Sequence, residues 1–128
     1  MICLDTHTWV RWVADPSRLP PEVRRRLDAD DACVSSISIW EVSLLVIRGE
    51  LRLRQELPAF LEAAVRWEGL QVVPISPPIA IRGARLGPLF PADPADRLIA
   101  STALELECPL ATADARIAAS GVVEVLWD

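Results

Sequence analysis

The sequence predicts an α/β fold of three layers, with a parallel central sheet of about five strands and helices on both faces. Two observations predict it. Short apolar runs bounded by proline, glycine or acids alternate along the chain with longer segments of helical periodicity. The leading runs, ICL and ACV, are apolar on successive residues, as in strands buried on both faces. At 128 residues the chain is expected to be one domain, 1–128, and its 52% hydrophobic content is enough for a core.

Ile2 to Asp5 is the first strand, with Asp5 at its C-terminal tip. Thr6, His7 and Thr8 turn into a helix carrying Trp9, Trp12 and Val13; Thr6 is placed to cap it, and Asp5 also suits a capping role. Asp15-Pro16-Ser17 breaks this helix, and Pro20-Pro21-Glu22 opens another that runs to Asp30. Its Arg24, Arg25 and Arg26 read as a solvated face in preference to an RNA or partner contact. Ala32 to Ser35 is the second strand. Ser36 or Ser38 caps the next helix, whose core face is expected along Ile37, Trp40, Leu44 and Ile47 and whose end is Gly49. Leu57 to Trp67 is a helix closed by Gly69. Leu70 to Ile75 is the third strand, and Pro74 predicts a sheet edge there. A helix spans Ile79 to Leu86 after Ser76-Pro77-Pro78.

Asp93 then caps a helix with Pro94 at its first position and Asp96 in its first turn, buried along Leu98, Ile99, Thr102, Ala103 and Leu106. Leu110 to Thr112 is the fourth strand. Asp114 opens a short helix stopped by Gly121, and Val122 to Trp127 is the fifth strand.

The formal net charge is −5, so any contact with nucleic acid must come from a local site and not from overall charge. All 13 basic residues are arginine, which excludes mechanisms that need a lysine, including Walker-type phosphate binding and Schiff-base chemistry. Cys3, Cys33 and Cys108 are scattered in apolar contexts without a zinc pattern and are expected to be buried free thiols. No apolar run approaches the roughly 20 residues of a membrane span, and Met1 leads straight into ICLDT without a basic leader; the cytoplasm is the expected location.

In a parallel sheet all C-terminal strand tips share one edge, where open α/β folds build their sites. Asp5 and Asp114 follow strands, Glu41 lies near the start of a helix after a strand, and Asp93 and Asp96 open a helix. Helix capping and the helix dipole account for each acid taken singly. Several carboxylates converging at one edge repel unless a cation is present, and hard divalent cations take oxygen ligands. Metal-assisted phosphodiester hydrolysis matches that chemistry and needs no histidine or cysteine nucleophile. A receiver-like phosphoacceptor or a haloacid-dehalogenase-type phosphatase would need a lysine; the latter would also need a second acid where Asp5-Thr6-His7 has His7. A binding module whose acids only cap helices remains the alternative.

The segments LDTHTWV, SISIWEVS, FPADPADRLIASTAL and LATADARI resemble, in order and over the whole chain, the motifs of the PIN-domain family, and among them the VapC-type toxins of toxin–antitoxin pairs. The resemblance implies a PIN-like fold and a Mg²⁺- or Mn²⁺-dependent endoribonuclease. It implies that Asp5, Glu41, Asp96 and Asp114 form the catalytic, metal-holding set. Asp93 would support it or hold a second metal. Thr112 and Thr6 would line the site, and Arg97 would orient an aspartate or contact phosphate. Water as the nucleophile would leave 5′-phosphate and 3′-hydroxyl ends. An RNA substrate, a cognate VapB-type antitoxin in the active-site groove and a homodimer are the implied partners.

Overall fold

A computed structural model describes residues 1–128. Five parallel strands, β1 (Ile2–Leu4), β2 (Ala32–Ser35), β3 (Leu70–Val73), β4 (Leu110–Ala111) and β5 (Val125–Leu126), form one sheet in the order β3-β2-β1-β4-β5. The chain winds outward from β1 to β3, then returns past β1 to add β4. The reversal leaves a crevice at the carboxyl ends of β1 and β4, the usual ligand position in open sheets.

Side chains alternate across the strands. Ile2, Leu4, Ala32 and Val34 enter one core cluster, with Trp9, Val23, Val42 and Phe60; Cys3 and Cys33 enter the other, with Ile79, Ile99, Ala103 and Ile117. Helices α1 (Thr6–Ala14), α2 (Pro21–Ala29), α3 (Ile37–Ile47) and α4 (Leu57–Ala64) supply the first cluster; α5 (Pro77–Ala84), α6 (Pro94–Glu105) and α7 (Ala115–Ser120) supply the second. The expected three-layer arrangement is the one observed. Cys3 and Cys33 are buried, Cys108 is half-buried, and all three are free. No helix is long and apolar enough to cross a membrane.

Several local expectations change. Asp5, not Thr6, caps α1: it has extended backbone and its Oδ1 accepts from Thr8 N at 2.9 Å. Helix α3 turns a different face inward. Ser38 and Val42 are buried, with Ile39 and Val46 packed beside them, whereas Trp40 is 56% and Ile47 77% exposed. This helix is apolar all round, so spacing alone could not choose its face. Leu106 is also exposed, because α6 ends before it. The last two strands shorten to two residues each, and β3 ends before Pro74 at the predicted edge.

Candidate active site

Each carboxylate at the sheet edge is delivered by a strand tip or a helix start. Asp5 follows β1 at once. Glu41 is the fifth residue of α3, which begins after β2. Asp93 caps α6, its Oδ1 accepting from Asp96 N at 3.1 Å with Pro94 at the first helical position. Asp114 caps α7, accepting from Arg116 N at 2.9 Å. All five acids line one cleft of about 400 Å³, together with Thr6, His7, Arg11 and Arg116.

Glu41, Asp93 and Asp96 lie closest together: one carboxylate oxygen from each falls within 4.8 Å of the others. Asp93, expected in a supporting place, thus belongs to the tightest group, as its exposed member. Burial, followed by the charges of Asp93, Glu41 and Asp114, pushes the Asp96 carboxyl up to about 7, only partly offset by Arg116. Burial likewise raises Glu41; its hydrogen bond from Thr6 opposes the rise, and Asp93 and Asp5 add to it. Thr6 Oγ1 is also 2.9 Å from Ser38 Oγ, so a buried hydroxyl pair braces the Glu41 carboxylate. The three acids are crowded, Glu41 and Asp96 are partly desolvated, and the donors to Glu41 and Asp93 are neutral.

Asp5 and Asp114 are held differently. Thr112 Oγ1 donates to Asp5 Oδ2 at 2.5 Å, tying the tip of β1 to the tip of β4. Asp114 N donates in turn to Thr112 Oγ1 at 3.1 Å. The Arg116 guanidinium, 3.0 Å from Asp114 Oδ2, is the main reason the Asp114 carboxyl is held below its usual range. Thr6 lines the cleft, as the resemblance implied; Thr112 is buried behind the lining and reaches the site only through its bonds to Asp5 and the Asp114 amide.

Arg97 does not line the cleft. It donates to no aspartate. Its guanidinium donates to Gly87 O at 2.8 Å and Phe90 O at 3.2 Å and lies over the Phe90 ring. It braces the segment between α5 and α6 that ends at Asp93. The sequence reading missed Arg116 and Arg11 as cleft residues. The signal for Arg116 was a cation in the first turn of a helix, where the dipole disfavours it, two residues after an acid. Arg11 gave no comparable signal, because its approach to the cleft depends on how α1 packs.

The fold and the edge together define a class: parallel α/β domains whose strand tips and helix starts gather carboxylates into a cleft suited to hard cations. Within that class the chain belongs to the PIN-domain family, whose model matches residues 2–121. It is 33% identical over 117 residues to ribonuclease VapC22 of Mycobacterium tuberculosis, a match covering 91% of this chain and 88% of that protein. The crystal structure of FitAcB from Neisseria gonorrhoeae superposes with a TM-score of 0.67 at 25% identity, covering 98% of this chain and 96% of that one. DNA-bound VapBC from Salmonella typhimurium superposes with a TM-score of 0.68 at 21% identity, over 98% and 96% of the two chains, a likeness of fold.

Proposed function

We propose that the protein is a divalent-metal-dependent endoribonuclease, the toxin of a VapBC-type toxin–antitoxin pair, that hydrolyses RNA phosphodiester bonds. The observation that carries this reading is the approach of Glu41, Asp93 and Asp96 to within 4.8 Å in a cleft shared with Asp5 and Asp114. An all-carboxylate donor set of this kind fits Mg²⁺ or Mn²⁺ and suits soft metals poorly. Such a cation would orient and activate water and offset charge on the phosphate.

The chain's own residues set the geometry. Asp5, Glu41, Asp96 and Asp114 would hold the cation, with Asp93 beside them. Thr112 and the Thr8 amide fix both oxygens of Asp5. Thr6 fixes Glu41. Asp96, held near 7 without a cation, would release its proton on taking one up. In this reading water, and not the ribose 2′-hydroxyl, would attack the phosphorus with the 3′-oxygen as leaving group, so the products would carry 5′-phosphate and 3′-hydroxyl ends. The 33% identity to a protein named as a ribonuclease supports the substrate class. The resemblance of motifs supports a VapB-type antitoxin partner, a homodimer and a cytoplasmic location.

Cleavage of a mixed cellular RNA pool tests the proposal. With Mn²⁺ the protein should cut; with EDTA, or with Asp96→Asn, cutting should stop. Fragments ending in 2′,3′-cyclic phosphate would contradict the mechanism. Absence of both cleavage and divalent binding would leave a non-catalytic PIN-like binding module as the better account.

A further inference from the structure

Resting on the metal-dependent reading of the cleft, we propose that Arg116 is a resident counter-ion: it holds Asp114 in the cation-free protein, yields that carboxylate to the divalent cation, and turns its guanidinium to the RNA phosphate. Both oxygens of Asp114 are committed to Arg116. Nη2 donates to Oδ2 at 3.0 Å and Nε to Oδ1 at 3.3 Å, beside the backbone bond from Arg116 N. A cation that draws on Asp114 therefore competes with the guanidinium for the same carboxylate charge.

The geometry allows it to. The Arg116 side chain is 73% exposed and that of Asp114 25%, so the arginine lies on the solvent side of the acid. Exposed pairs of this kind hold weakly, whereas a divalent cation engages several carboxylates at once. Arg116 also stands in the first turn of α7, where the helix dipole disfavours a cation and leaves the pairing with Asp114 to retain it. Once released, it carries the planar fork that matches phosphate oxygens at the cleft rim. The other cleft cation, Arg11, is engaged over the Trp127 ring at 5.8 Å, and Arg97 points into the segment before α6. Arg116 is thus the cleft guanidinium with an exposed side chain and no aromatic or backbone carbonyl holding it.

This role predicts opposite signs for two readouts. Removing Arg116 removes a competing positive charge, so Mn²⁺ should bind more tightly; it also removes a phosphate contact, so RNA should be cut less well. Calorimetric Mn²⁺ titration of the EDTA-stripped full chain should show about three- to tenfold tighter binding in Arg116→Ala and Arg116→Gln than in wild type. The same variants should lose about tenfold or more in kcat/KM on RNA. Arg116→Lys, which keeps the charge without the fork, should bind Mn²⁺ as wild type does and recover only part of the activity. Unchanged or weaker Mn²⁺ binding in both neutral variants, with unaltered circular dichroism, would overturn the inference, as would wild-type kcat/KM. A wild-type protein that binds no Mn²⁺ would instead overturn the metal-dependent reading itself, and the inference with it.

Discussion

Glu41, Asp93 and Asp96 face one another with no cation paired to any of them, whereas Asp5 and Asp114, in the same cleft, are already held. On the bare side, burial and mutual repulsion push Asp96 and Glu41 upward. On the satisfied side, Asp5 caps a helix and accepts from Thr112, and Arg116 draws Asp114 downward. The difference teaches that an acid at a sheet edge can stabilise the fold by itself or can leave a charge deficit for a ligand to fill. This cleft contains both kinds, so substitutions on its two sides should differ in sign as well as size.

The largest effect belongs to the bare side. Asp96→Asn should reduce RNA cleavage by about a hundredfold or more while leaving the circular dichroism spectrum unchanged. Equal activity in initial-rate assays would break the distinction. Stability should move the opposite way on the two sides. In cation-free protein at pH 8, denaturant titration should find Asp5→Ala less stable by about 1 to 2 kcal/mol, from loss of the cap and the Thr112 bond. Asp96→Asn should be more stable by on the order of 1 kcal/mol, after allowance for solvent screening. If both substitutions destabilise, the bare side is not frustrated. Arg97→Ala should cost about 1 kcal/mol and speed amide exchange over residues 87–92, because it frees two carbonyls from their shared donor. Thr112→Val should have the smallest effect, a loss of about 0.5 to 1 kcal/mol, with cleavage reduced only a few fold.

Much of this was legible in the sequence. The alternation of strands and helices, the position of every catalytic candidate, the cap at Asp93 and the αL stop at Gly121 follow from local rules that tertiary packing did not override. The inward face of α3 was not legible. Its apolar residues run all round, and the choice was made by Thr6, Ser38 and Glu41 meeting beneath it. The role of Arg97 was not legible either, since adjacency to Asp96 in the chain says nothing of the carbonyls it reaches across the turn. The split of the acids into bare and satisfied sides depends on which donors each meets in space, and those lie as far apart as Asp5 and Thr112.

Thermal melting of the cation-free protein across pH 4 to 8, repeated with Mn²⁺, tests the bare side most directly. Asp96 has a folded-state value of about 7 against an ordinary 3.8, so between those values the folded protein binds the extra proton. Its contribution to stability is therefore fully favourable below pH 4 and lost as pH rises toward 7. The predicted result is a melting temperature that falls over that window in wild type, recovers with Mn²⁺ at pH 8, and in Asp96→Asn shows a shallower fall and little recovery. An equal pH slope in the two proteins, with no response to Mn²⁺ in either, would contradict the account.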